Sequence, residues 1–343
     1  MSAADTPTND ALLEVRDLVV HFPAGRKAAF GPPSFVHAVD GVSFRVRRGT
    51  TFGIVGESGS GKSTTAQAVM RLVPATAGEI VFRGEDIAPL SGEKLRQVRR
   101  HLQIVFQDPF SALDPRRRAG DQIREPLDLL QIGSRAEREQ RVKQLLTEVG
   151  LPPQAADLFP HQFSGGQRQR LCIARALAPE PDMIVCDEAV SALDVAIQAQ
   201  ILNLLKKLQR ERGLTYIFIS HDLGVIQQFC DEIAVMYLGK IVEQASASAL
   251  FTKPRHPYTW SLVAAAAPPG PTRETLKLRY LVKGDPPSPV DPPPGCRFAQ
   301  RCPFAIDMCR TEDPQLEASG PDHRVACHRA GELTPPDFAA LVA

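Results

Sequence analysis

Apolar residues recur along this chain with a period that changes from segment to segment, and each change predicts an element. Leu12 to Phe22, LLEVRDLVVHF, and Phe35 to Val46, FVHAVDGVSFRV, alternate or cluster apolar positions in short runs, which predicts a β-rich opening. Residues 50–73, TTFGIVGESGSGKSTTAQAVMRLV, then read as a buried strand, a glycine-rich turn and an amphipathic helix, a strand–loop–helix unit of α/β type. From about residue 92 to 163 the pattern shifts to helix formers with charged faces. In RAEREQRVKQLLTEVGL, Val142, Leu145, Leu146 and Val149 fall on one face, so this stretch is expected to be a helical subdomain inserted in the α/β core. Strands resume at MIVCDE and TYIFISHD, separated by a helix near Ile197 to Arg212 that Gly213 ends. EIAVMYLGKIVEQ predicts a hairpin turning at Gly239-Lys240.

After Phe251 the rhythm fails. Sixteen of the thirty prolines lie in residues 251–343, a density that disfavours long helices and central strands and predicts an appendage to the preceding core. Composition otherwise bounds the molecule. Hydrophobic residues at 43% and charged ones at 23% suit a globular chain with a sizeable core. A net charge of +1 offers nucleic acid no global attraction, and the run Arg116-Arg117-Arg118 reads as a solvated face. No apolar run approaches the roughly 18 residues that a membrane-spanning helix needs. The opening MSAADTPTND has no positive charge ahead of an apolar stretch, which argues against a secretory signal and for the cytosol. There the seven cysteines are expected as thiols or metal ligands.

The glycine-rich turn carries chemistry. Gly56, Glu57, Ser58, Gly59, Ser60, Gly61, Lys62 and Ser63 match G-x-x-x-x-G-K-[ST], and Thr64 continues into the helix. Glycines let the backbone curl so that several N–H groups point at phosphate, while the helix N-terminus adds its dipole. Lys62 is placed to reach the β- and γ-phosphates of a nucleotide and Ser63 to ligate magnesium. MIVCDE delivers Asp187 to hold that magnesium and Glu188 to act as general base on an attacking water. A second anion site opens FSGGQRQRLCIARAL, where Ser164 caps a helix and Gly165 and Gly166 permit close approach. One chain thus has two phosphate-binding helix starts but one lysine-bearing loop, which predicts a head-to-tail dimer sharing nucleotide across its interface.

With these motifs in order, residues 12–250 resemble the ATP-binding-cassette family. The resemblance implies a P-loop ATPase core with an N-terminal antiparallel β-subdomain. It implies a glutamine loop at Gln107 in VFQDP that senses magnesium and meets the membrane partner. It also implies a D-loop at Ser191-Ala192-Leu193-Asp194, with Asp194 crossing the dimer interface, and a switch histidine, His221, on the γ-phosphate. The Ser164–Gln167 turn would close on the nucleotide of the other subunit, and Phe22 takes the place of the aromatic that stacks on adenine. Ala189 departs from the proline usual after the catalytic glutamate. HPYTWSLVAAAAP from His256 onward resembles the C-terminal extension of oligopeptide and dipeptide importer ATPases. By resemblance the partners are a second homologous ATPase subunit, two transmembrane permeases and an extracytoplasmic solute-binding protein, at the cytoplasmic face of the inner membrane. The alternative is a soluble cassette ATPase switch not coupled to transport.

Four of the seven cysteines, Cys296, Cys302, Cys309 and Cys327, fall within 32 residues of the tail. In a cytosolic chain such crowding favours thiolate ligation, either of tetrahedral zinc or of a four-iron cluster, over four free thiols. His323 and His328 are possible substitutes for a cysteine at zinc. The gaps lack paired Cys-x-x-Cys knuckles, and resemblance to the importer extension implies a [4Fe-4S] cluster.

Overall fold

A computed structural model describes residues 10–26, 33–266, 282, 284–335 and 338. Residues 1–9 of the polar N-terminus lie outside the described residues. Strands β1 (Ala11–Arg26) and β2 (Pro33–Arg47) pair antiparallel, and β4 (Ala77–Phe82) and β5 (Glu85–Asp86) complete a four-stranded sheet ordered β2-β1-β4-β5. The expected antiparallel subdomain is therefore present.

The second sheet has eight strands. Its centre is parallel and ordered β9-β3-β8-β7-β6, from β3 (Thr51–Val55), β6 (Leu102–Val105), β7 (Met183–Asp187), β8 (Thr215–Ile219) and β9 (Glu232–Tyr237). These strands read as continuous apolar runs because both faces are covered. Met183, Val185, Ile217 and Ile219 face the cluster shared with the small sheet. Their neighbours Ile184, Cys186, Tyr216 and Phe218 face a second cluster, under helices α6 (Gly165–Leu177), α7 (Val195–Arg212) and α8 (Leu223–Phe229). Gly213 ends α7 in the left-handed conformation, as expected from its place after Arg212.

Three expectations need correction. The span read as helical holds α2 (Gly92–His101), α4 (Ala119–Leu129) and α5 (Arg135–Glu148), but Leu102–Val105 within it forms β6, hydrogen-bonded parallel to β7. At four residues it is too short to show a period against helical flanks. The hairpin of β9 with β10 (Lys240–Ser246) turns at Leu238-Gly239, one residue early. Both have positive φ, 46° and 84°, the geometry that suits a two-residue turn between twisted strands.

The tail is no appendage. Its strand β12 (His323–Val325) pairs with β10, and β11 (Glu317–Gly320) pairs with β12, so the tail extends the large sheet. Tyr258 and Trp260 in α10 (Pro257–Ala266), together with Phe298 and Phe338, are buried in the second cluster. The proline-rich piece lies along β2, with a bridge between Val290 and Val36 and with His37 N donating to Pro289 O at 2.9 Å. Proline gives up its donor but keeps its carbonyl, and here the carbonyl is used.

Candidate functional site

The phosphate loop joins β3 to α1 (Lys62–Val69). At Gly61 φ is 104°, and a Cβ there would lie 2.2 Å from the carbonyl oxygen of Ala38 in β2. At Gly56 it would lie 2.2 Å from that of Met236 in β9. Only glycine lets the loop nest this closely against its two supporting strands. Lys62 Nζ donates to the carbonyls of Gly56 and Glu57, both at 2.8 Å, so the ammonium sits inside the curl it is meant to charge. Burial lowers its pKa against the raising pull of Glu188, Asp187 and Glu57.

Strand β7 ends on the two acids. Asp187 Oδ1 accepts from Ser63 Oγ at 3.0 Å, which joins the two predicted magnesium ligands. Burial raises the Asp187 pKa, aided by the Glu188 charge and opposed by Ser63 and Lys62. A divalent cation would offset that cost, so the donor set fits magnesium. Glu188 takes φ of 50°, which turns it out of the strand as its N–H donates to Ile219 O at 3.0 Å. Its Oε2 accepts from Gln107 Nε2 at 2.9 Å and lies 3.3 Å from His221 Nδ1. Three residues 81 and 33 positions apart in sequence thus meet at one carboxylate oxygen.

An open cleft of about 770 Å³ gathers Phe22, Ser58, Gly59, Gly61, Lys62, Ser63, Thr64, Gln107, Glu188 and His221. Val36, Ala38 and Pro289 also line it and were not singled out from sequence. Gly56, Glu57 and Ser60, which the loop motif also includes, are not among its lining residues. The Glu57 N–H donates to Tyr258 Oη at 2.8 Å, and its carboxylate pairs with Arg301. Both groups face the tail. The HPY motif held a signal for this contact, because a buried tyrosine must place its hydroxyl on a partner.

Ser164, Gly165, Gly166, Gln167 and Asp194 are not part of the cleft. Ser164 and Gln167 form a capping box on α6, with Ser164 N donating to Gln167 Oε1 at 2.9 Å. Asp194 Oδ1 caps α7 by accepting from Ile197 N at 2.9 Å. Beside the cleft, His21, His37 and Asp40 are the one trio of candidate ligands within 4.8 Å of one another among the described residues. Arg297 already supplies a cation to that carboxylate.

The four tail cysteines line one small cavity with His256, Phe298, Phe304 and His328. None is in a disulfide. Burial pushes the Cys296 thiol up to about 12 and Cys302 up to about 11, and raises Cys327. Backbone N–H groups of Phe298, Phe304 and Arg329 bond to those three sulfurs and pull the other way, towards thiolate. No three of the four sulfurs lie within 4.8 Å of one another. Zinc with bonds of about 2.3 Å would hold its sulfurs roughly 3.8 Å apart. The cavity's free volume is about 20 Å³. His323 is not on it: its Nε2 bonds Glu243 Oε1 at 2.6 Å.

Loop, acids, glutamine and histidine on this sheet define a P-loop ATPase of the cassette type. Residues 39–191 match the profile of the ABC transporter family, and residues 242–309 match that of the oligopeptide/dipeptide transporter C-terminal region. The chain is 46% identical to the oligopeptide transport ATP-binding protein AppF of Bacillus subtilis over 329 residues, 96% of this chain and 99% of the other. It is 49% identical to a Brucella ovis protein named as a candidate peptide import ATP-binding protein, over 94% of this chain and 99% of that one. Among solved structures, the ATP-binding cassette MJ0796, a dimer bound to ADP and Pi, superposes with a TM-score of 0.61 at 30% identity, covering 68% of this chain and 98% of that one. CbiO1 of Clostridium perfringens gives a TM-score of 0.60 at 28% identity, covering 71% and 91%. The protein belongs to the ATP-binding-cassette transporter ATPases, in the oligopeptide/dipeptide importer branch.

Proposed function

We infer that this chain is the ATP-hydrolysing subunit of an importer of peptides or similar small solutes. The observation that carries the reading is the meeting of Gln107, Glu188 and His221 at one carboxylate oxygen, in the cleft that holds the Lys62 loop. Lys62 and the loop N–H groups bind the β- and γ-phosphates, and Phe22 stacks on the base at the cleft's other side. Ser63, Asp187 and Gln107 hold magnesium, which neutralises phosphate charge. Glu188 orients water and takes its proton, and His221 contacts the γ-phosphate. Gln107 and His221 position that carboxylate.

The exposed Ser164–Gln167 turn and Asp194 serve a second cassette, most economically a homologous subunit, so that two nucleotides are sandwiched between two chains. No helix among the described residues is long and apolar enough to cross a membrane. By family likeness the subunit works with two permease partners, at the cytoplasmic face of the inner membrane, with a solute-binding protein outside. Replacing Glu188 by Gln is expected to leave ATP bound while slowing turnover by about 10²–10⁴-fold, as loss of a general base does. Unchanged turnover would remove Glu188 from the mechanism.

The cysteine cavity is read as the site of a [4Fe-4S] cluster that Cys296, Cys302, Cys309 and Cys327 would hold, with zinc as the alternative. Its sulfurs stand apart, its walls are apolar, and N–H groups point at three of the sulfurs. Protein purified without oxygen should be brown and absorb broadly near 400 nm, and Cys302→Ser should lose the colour. Colourless protein with stoichiometric zinc would replace the cluster, and metal-free protein would end the proposal.

A further inference from the structure

The tail reaches back to the phosphate loop through one short turn. From Cys296 to Cys302 the backbone coils, with Ala299 N donating to Cys296 O and Cys302 N to Phe298 O, both at 3.0 Å. Phe298, 1% exposed, anchors the turn edge-on against Tyr237, with ring centroids 5.2 Å apart. Arginines flank that anchor and leave the turn toward the cleft. Arg301 donates from Nη1 to Glu57 Oε2 at 2.8 Å and from Nη2 to Glu57 Oε1 at 3.2 Å, a bidentate fork on a side chain of the phosphate loop. The Arg301 side chain is 9% exposed and that of Glu57 30%, so the pair is shielded from solvent on the arginine side. Arg297 bonds the Asp40 carboxylate, and its Nη1 donates to Leu238 O at 2.8 Å. Leu238 belongs to the turn whose Gly239 N–H donates to Ser60 O at 2.8 Å. Two arginines of one turn therefore hold the loop, one directly and one through its neighbour.

We propose that Arg301 is a positioning residue for nucleotide binding, fixing the phosphate loop from the tail by its fork on Glu57. The loop must present its N–H groups in one curvature, and Glu57 is the residue whose N–H and carboxylate are both tied outside the cleft, to Tyr258 and Arg301. Releasing the carboxylate lets the entry to the curl relax while Lys62, Ser63 and Asp187 stay chemically intact. Removal of such a remote support shifts affinity at the supported site by about tenfold.

The proposal rests on the cleft being the ATP site, and the test separates the two. In the full chain, ATP dissociation constants are measured by titration for Arg301→Gln, Glu57→Gln and the double variant, with melting temperature as the folding control. Arg301→Gln and Glu57→Gln should each weaken ATP about tenfold, and the double variant should be no weaker than either, because both remove one interaction. Arg301→Lys should recover part of the loss. Folded Arg301→Gln with wild-type affinity overturns the proposal, and so do additive losses in the double variant. If Arg301→Gln does not fold, Glu57→Gln carries the test, since its amide keeps the loop's size and its N–H bond to Tyr258. Lys62→Ala is the control for the cleft. Lost binding there with unchanged Arg301→Gln condemns the clamp alone, whereas unchanged binding in both condemns the cleft reading and the clamp with it.

Discussion

His256 shows how one residue's environment sets a property of the whole chain. Its ring is fully buried against Phe298, and its Nδ1 accepts the Tyr258 N–H at 3.0 Å, which aims the tyrosine at Glu57. Burial lowers its pKa to about 4, despite the raising pull of Glu243. An unfolded histidine titrates near 6.5, so from about pH 6.5 down to 4 the unfolded chain binds the extra proton and the folded chain does not. Stability is thus lost as pH falls through that window, on the order of 2 kcal/mol between about pH 7 and 5. His256→Asn keeps an acceptor near Nδ1 and cannot titrate. Denaturant melts should show it losing less stability than wild type on acidification, and identical losses would contradict the assignment. Residues of this kind divide by legibility. Lys62, Ser63, Asp187 and Glu188 were readable because their neighbours in sequence form the local motif. The partner of Tyr258 and the role of Arg301 were not, because both act on Glu57 from far along the chain, 201 and 244 positions away.

Elements were legible where their period had room to repeat. The strand–loop–helix at residues 50–73 and the amphipathic α5 stand as expected, whereas β6 had four residues in which to declare itself. The tail's strands were hidden by proline density, which measures what a segment cannot donate and says nothing of the carbonyls and rings it contributes. Close helix packing was equally invisible. Gly166 opens α6 beside α7, and a Cβ there would lie 2.5 Å from Ile197 Cγ2. Gly166→Ala should therefore push the Ser164 turn off α7 and destabilise the protein by about 1–3 kcal/mol, the usual cost of overpacking. Adding Ile197→Ala makes room and should restore most of the melting temperature. A double variant as unstable as Gly166→Ala would place the strain elsewhere.

The whole molecule closes on itself: the proline-rich piece lies on β2, β12 extends the sheet that begins at β3, and Arg301 ends on Glu57. A chain made from its N-terminus must therefore wait. Synthesis at about 5–20 residues per second separates Glu57 from Arg301 by roughly 12–49 s. Through that interval the nascent phosphate loop lacks the fork and the Tyr258 hydroxyl that fix it. The full affinity that the fork gives is thus reached only once Arg301 has been made and docked, so that a chain still growing towards it binds ATP more weakly.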